Sequence, residues 1–164
     1  MKFKLIENIN NNVYLYRGLS ENNNISNKYM IGEFYTDNVM DASNYGDKIK
    51  KVELKPSAKI YKYQSSLDYC QDNNLMNIKN NVLYEISGEY KINNLAQAQE
   101  ELEGYDPNLL YWMFQYMAYL DLSNKGYDGA EWMVEDDMIW HQYQIWNPNV
   151  VNFIEFIYFW KDVI

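Results

Sequence analysis

The chain has 164 residues, which fits one domain, and 48% of them are apolar, which is enough for a single hydrophobic core. Its formal net charge of −9 argues against non-specific binding to nucleic acids and against docking on anionic membranes, because both are negatively charged. Cys70 is the only cysteine, so no intrachain disulfide forms, and Met1–Glu7 lacks the apolar core of a signal peptide; we expect a soluble cytoplasmic protein.

The first half of the chain predicts short strands with one short helix among them. Alternating or β-prone residues mark the strands, and Pro56 separates the last two. Thr36 or Asp37 is expected to cap the helix and Gly46 to end it. The elements predicted here are a strand Val13–Gly18, a strand ending in Phe34–Thr36, a helix Asn38–Tyr45, and strands Lys48–Leu54 and Ala58–Tyr63.

The second half predicts helices followed by strands, which makes the whole chain α+β. Asp106 and Pro107 open the strongest helix pattern, which runs to about Ser123 and stops at Gly126. The stretch from Asp72 to Ile92 fits either a helix or a strand. The other elements predicted here are helices Ser65–Gln71, capped by Ser65 or Ser66, and Leu95–Leu102, and strands within Gly126–Val134, at Tyr143–Trp146 and at Val150–Trp160.

Three strand ends carry side chains that suit a nucleotide ligand. Arg17 offers a planar fork of donors for a pyrophosphate, and Gly18 lets the backbone approach a ligand amide closely. Phe34 and Tyr45, one at each side of the predicted helix, offer stacking walls for a flat heterocycle. The third strand end, Gln142–Gln144, would face the ribose across this slot.

These pieces resemble the ADP-ribosyltransferase superfamily. Its polymerase branch has tyrosine–phenylalanine–alanine–aspartate and then alanine–asparagine–tyrosine, where this chain has Phe34–Asp37 and Ala42–Tyr45. Tyr16–Gly18 looks like the first-strand motif, with the arginine that is typical of the toxin branch, and Thr36 occupies roughly that branch's serine position. Similarity to phage and mobile-element members rests on two further segments, Gly126–Gly129 and Tyr143–Pro148, and the middle, Ser65–Lys125, is unmatched.

The resemblance implies one ADP-ribosyltransferase-like domain over residues 1–164, with a split β-sheet core flanked by helices. It implies a mono-ADP-ribosyltransferase that uses NAD as substrate, needs no metal, and modifies a host or defence macromolecule, with a protein as acceptor. Phe34 and Tyr45 would sandwich the nicotinamide. The implied cofactor-binding residues are Arg17, Gly18, Phe34, Tyr35 and Tyr45, and the implied catalytic residues are Arg17, Thr36, Glu135, Gln142 and Gln144.

The chain departs from the family at the third strand, where active members place a glutamate. Gln142 and Gln144 can hold a ribose hydroxyl but cannot offset developing positive charge. Glu135, in the acidic turn that follows the preceding strand, is the first candidate to replace that glutamate. Two alternatives stay open: an inactive relative that binds or inhibits a partner, and an NAD glycohydrolase without a protein acceptor.

Each candidate residue also has a plain structural interpretation. Arg17 fits a surface ion pair, the two rings fit core packing, and Thr36 fits a helix cap. His141 is the only histidine and fits a structural role, since no cluster of metal ligands surrounds it in the sequence.

Overall fold

The computed structural model describes residues 12–20, 30–75, 107–136 and 138–158, with the backbone alone at 107–110. The chain divides into two compact units, so the expectation of one domain stays a prediction. The first unit comprises Met1–Ile25, Gly32–Ile60 and Asp128–Ile164, and the second comprises Ser26–Ile31 and Tyr61–Tyr127. The predicted helix Leu95–Leu102, the cap Asp106 and most of the stretch from Asp72 to Ile92 lie outside the described residues.

Seven strands and a few helices confirm the α+β class. The strands form one mostly antiparallel sheet in the order β4-β5-β6-β2-β1-β3-β7. Strand β3 has the predicted bounds, whereas β6 begins four residues before the predicted Tyr143 and β4 is shorter than predicted. The strands are β1 (Val13–Leu19), β2 (Glu33–Thr36), β3 (Lys48–Leu54), β4 (Ile60–Lys62), β5 (Gly129–Glu135), β6 (Ile139–Ile145) and β7 (Val151–Tyr158).

The junction between β1 and β2 is a narrow pairing in the sheet. Only Tyr16 and Thr36 stand directly opposite each other there. By contrast, β1 is opposed by β3 along its whole length, and β2 by β6 along all four of its residues. The ladder therefore stops on either side of Tyr16, and the β1 edge that faces β2 has no ladder partner from β2 at Gly18.

Helix α1 (Val39–Ser43) follows β2 and is shorter than the predicted Asn38–Tyr45. Its cap is Asn38, whose side chain accepts hydrogen bonds from the amides of Met40 and Asp41 at 2.9 and 3.4 Å, so the prediction of Thr36 or Asp37 as the cap is wrong. The Thr36 hydroxyl instead accepts from the Asn38 amide at 3.1 Å, one step before the helix.

The second unit contains two helices with the predicted start signals. Helix α2 (Ser66–Asp72) is capped by Ser65, which accepts from the Asp68 amide at 3.1 Å and confirms one of the two predicted caps. Helix α3 (Pro107–Asn124) begins at the predicted proline and buries Met113, Met117 and Leu122 completely. Among the described helices, none is long and apolar enough to cross a membrane.

The two faces of the sheet in the first unit carry different residues, because successive side chains of a strand alternate and directly opposed residues share a face. One face, here called the core face, carries a cluster of buried residues: Leu15, Tyr35, Val52, Tyr143, Ile145 and Val150. The other, here called the α1 face, carries Gly18, Phe34, Thr36, Gln142 and Gln144. Helix α1 lies on this second face. Of the predicted site residues, Arg17, Tyr35 and Glu135 lie on the core face instead.

Candidate functional site

Gly18 lies directly beneath the C-terminal end of helix α1. A Cβ atom added to Gly18 would stand 2.1 Å from the carbonyl oxygen of Ala42 and 2.9 Å from the Cβ of Tyr45. Such distances are far below van der Waals contact, so only glycine allows this approach. The structure therefore brings together Gly18 and Tyr45, two residues that are far apart in the chain and that were both predicted to contact the ligand.

The two predicted stacking residues flank this contact. Phe34 is half-buried on the α1 face, and Tyr45 is 54% exposed. Within the described part of the chain the ring of Phe34 does not contact the ring of Tyr45, so neither ring covers the face of the other. Partial burial is the main cause that raises the pKa of Tyr45, and the negative charge of Asp41 adds to it, so this phenol stays neutral at physiological pH.

Arg17 lies on the core face, with Lys50 and Glu33, and its guanidinium reaches across the β1–β2 junction. Its guanidinium donates a hydrogen bond to the carbonyl oxygen of Phe34 at 3.2 Å, which uses one of its five donors. Arg17 stands opposite Lys50 on β3, so two positive charges face each other. The negative charge of Glu33 compensates them, since its carboxylate lies 3.2 Å from the Lys50 ammonium. Burial raises the pKa of Glu33, but a hydrogen bond from Tyr35 and the charge of Lys50 outweigh it and leave that pKa lowered.

Tyr35, predicted to bind the cofactor, lies in the hydrophobic cluster on the core face. Its side chain is 3% exposed and its hydroxyl donates to Glu33. Burial, followed by that hydrogen bond, raises the pKa of Tyr35 far above its usual range. The structure therefore separates Tyr35 from Phe34, since the two neighbours point to opposite faces of β2.

Thr36 and Gln142 stand directly opposite each other on β2 and β6, at the point where β2 ends. The side-chain carbonyl of Gln142 accepts a hydrogen bond from the Trp132 indole at 3.1 Å, and its amide group reaches the carboxylate of Asp41 at 3.5 Å. Gln142 thus joins β6 to helix α1. Gln144 stands opposite Phe34 and is 1% exposed.

Glu135, the sequence-based candidate for the missing acid, is not brought to this place. It ends β5, two strands away from β2, where it stands opposite Ile139 in an exposed position. The register puts Glu135 on the core face with Glu131 and Tyr143, not on the α1 face with Gln142.

Asp41 is a carboxylate close to the candidate residues that the sequence did not single out. It is half-buried on helix α1, close to Gln142 and four residues before Tyr45. Residues four apart in the predicted helix Asn38–Tyr45 would share one side of it, although in the structure Tyr45 follows the helix. The sequence alone does not show the contact of Asp41 with β6, however. Without that contact, Asp41 is explained equally well as an acid in the first turn that complements the helix dipole.

The lone histidine has a structural contact, as its plain interpretation predicted. The Nδ1 atom of His141 lies 3.1 Å from a carboxylate oxygen of Asp37, and its backbone amide donates to the other oxygen at 2.8 Å. These bonds fasten the end of β2 to β6. Nowhere in the described ranges do three or more histidine, cysteine, aspartate or glutamate side chains form a group that could hold a metal ion.

Comparison of the chain with protein-family models, with curated proteins and with solved structures finds no match.

Proposed function

We propose that the chain binds NAD at the β1–β2 junction and transfers its ADP-ribose to a macromolecular acceptor, as mono-ADP-ribosyltransferases do. The observation that carries this proposal is the contact of Gly18 with Ala42 and Tyr45 beside Phe34. At Gly18 the edge of β1 has no ladder partner from β2, and the exposed ring of Tyr45 lies next to it. A ring that bears a carboxamide needs both features, a backbone edge for the carboxamide and an aromatic face for the ring. The narrow pairing at Tyr16 lends support, because the resemblance implies a split sheet and β1 and β2 are joined there by one directly opposed pair within a single seven-stranded sheet.

In this proposal each part of NAD meets residues of the first unit. The nicotinamide stacks between Phe34 and Tyr45, and its carboxamide pairs with the backbone of Gly18. Arg17, whose side chain starts on the core face, would reach the pyrophosphate with its remaining donors across the β1–β2 junction, where it bonds to the Phe34 carbonyl. Thr36 and Gln142 border the ribose, because they stand opposite each other at the end of β2.

A thermal shift with NAD tests the binding half of the proposal. At an NAD concentration of 100 Kd, binding adds about 2.7 kcal/mol to the free energy of unfolding, which corresponds to a rise in Tm of roughly 5–10 °C. Tyr45→Ala should abolish this rise. Tyr158→Ala is the matched control, since Tyr158 is similarly exposed, at 46%, but lies on β7 at the far edge of the sheet. An equal rise in all three proteins would contradict the proposed site.

Incubation with NAD labelled in the adenylate tests the transfer half. Label on an acceptor protein together with free nicotinamide supports transfer. Free ADP-ribose and nicotinamide with no labelled protein supports NAD hydrolysis instead. Arg17→Ala should reduce either activity, and it should also weaken the NAD-dependent thermal shift, because the pyrophosphate would lose its positively charged partner.

The second candidate function is an NAD-binding module without turnover, and the contacts of Gln142 favour it. Strand β6 contains no carboxylate, and the amide of Gln142 is engaged by Trp132 on one side and Asp41 on the other. An amide in this position orients a hydroxyl without offsetting positive charge. A wild-type thermal shift without any release of nicotinamide would support this second candidate and contradict the first.

A further inference from the structure

The transition state of ADP-ribosyl transfer carries positive charge on the ribose, and the strand beside it offers no acid. Resting on the proposed function, we infer that Asp41 supplies the carboxylate that stabilises this charge, from helix α1 rather than from the third strand. Asp41 lies on the helix that covers the α1 face, and its carboxylate contacts the amide of Gln142 on that face. Gln142 itself stands opposite Thr36, so the three side chains converge at the end of β2.

Two contacts show where Asp41 and Tyr45 lie on the sheet. The carboxylate of Asp41, in the middle of helix α1, lies 3.5 Å from the Gln142 amide on β6. Tyr45 follows the helix, two residues after its end, and its Cβ stands against Gly18 on β1. A nicotinamide on Tyr45 with its ribose beside Gln142 would therefore have that ribose close to Asp41 as well.

The other acids of the first unit are placed less well. Glu33 is held by Lys50 and Tyr35 on the core face, and Asp37 is held by His141. Glu135 lies on the core face two strands away. Glu131 is buried on the core face, opposite Tyr143, whereas Asp41 contacts Gln142 on the α1 face.

The reaction in this arrangement is a dissociative displacement at the ribose C1′. The bond between C1′ and the nicotinamide nitrogen breaks, and its electron pair neutralises the pyridinium. The cationic ribose that results is stabilised by the Asp41 carboxylate while Gln142 orients a ribose hydroxyl. A lone pair of the acceptor then forms the new bond to C1′, and the acceptor loses one proton to solvent. Asp41 is unchanged at the end, so the step needs no further reactant.

The test compares Asp41→Asn with wild type in two assays on the full chain. Asparagine keeps the shape and one oxygen acceptor for Gln142. The Kd for NAD obtained from the thermal shift should therefore stay within about threefold of the wild-type value. Release of nicotinamide should fall roughly 10²–10³-fold, because one preorganised charge is lost. Asp41→Glu should restore part of the rate. Glu155→Gln, which removes the same charge from an exposed position on β7, should change neither measurement.

The split between kcat and KM separates catalysis from a structural role. Asp41→Asn should lower kcat for nicotinamide release and leave KM for NAD close to its wild-type value, whereas a disturbed slot should change both. Wild-type turnover in Asp41→Asn would overturn the inference and leave the proposed function standing, and so would a loss of NAD binding as large as the loss of rate. A wild-type protein that neither binds nor cleaves NAD would overturn both, and one that binds without cleaving would overturn the inference and support the NAD-binding module.

Discussion

Replacing Gly18 by alanine tests the contact on which the site is built. The new methyl would stand 2.1 Å from the Ala42 carbonyl oxygen, whereas carbon and carbonyl oxygen ordinarily approach to about 3.3 Å. Helix α1 and Tyr45 must therefore move away from β1 by about 1 Å. Overpacking of this kind costs about 1–3 kcal/mol, which corresponds to a loss in Tm of roughly 2–12 °C for a chain of this size.

The assay measures unfolding and NAD binding of the same variant. Gly18→Ala should lower the urea midpoint and abolish the NAD-dependent rise in Tm, because Tyr45 is displaced from the slot. Gly126→Ala is the control, since no atom lies within 4 Å of an added Cβ there, while its φ of +89° makes alanine costly by about 1 kcal/mol. It should lose stability but keep the NAD-dependent rise. Wild-type stability of Gly18→Ala would refute the reasoning from the close contact.

Three further predictions concern other contacts. Thr36→Val removes a buried hydroxyl that accepts from the Asn38 amide, and urea unfolding should show a loss of about 1 kcal/mol; an unchanged midpoint would mean that the bond contributes nothing. Burial raises the pKa of the Cys70 thiol to about 12, so at pH 8 a thiol reagent should label the native protein far more slowly than the unfolded one. Since the folded pKa exceeds the unfolded one, this thiol contributes stability below about pH 9 that is lost as pH rises towards 12, which alkaline urea titrations should show. Gln142→Glu places a second carboxylate 3.5 Å from Asp41; urea unfolding at pH 7 should show a loss of stability, and adding Asp41→Asn to this variant should recover it.

The elements that sequence reasoning predicted well are those with a strong local signal. Strand β3 alternates over its full length, Ser65 caps α2, and Pro107 opens α3. The first half of β6 was missed because Ile139–Gln142 alternates poorly, and its pairing with β5 is what makes it a strand. Helix α1 was predicted one turn too long, because Asn38 competes successfully with Thr36 as the cap.

The site was predictable only where chain neighbours determine it. The spacing of Phe34 and Tyr45 marked the slot, but the approach of Gly18 to Tyr45 depends on the path of α1 across the sheet. Glu135 was chosen because it lies in a turn close to the third strand. Which face it points to depends on the register between β5 and β6, and that register cannot be read from either strand alone. Asp41 was missed for the same reason.

Binding and catalysis depend on different features of this site. The slot rests on backbone contacts that two glycines permit, since a Cβ on Gly46 would stand 2.0 Å from the Leu19 carbonyl just as one on Gly18 would meet Ala42. Both contacts fix helix α1 on β1 before any ligand arrives, and a preorganised slot loses little entropy on binding. In the inferred mechanism, by contrast, turnover depends on a single charge at Asp41. A chain could therefore keep the slot and lose the reaction through one substitution, which is why NAD binding and nicotinamide release must be measured separately.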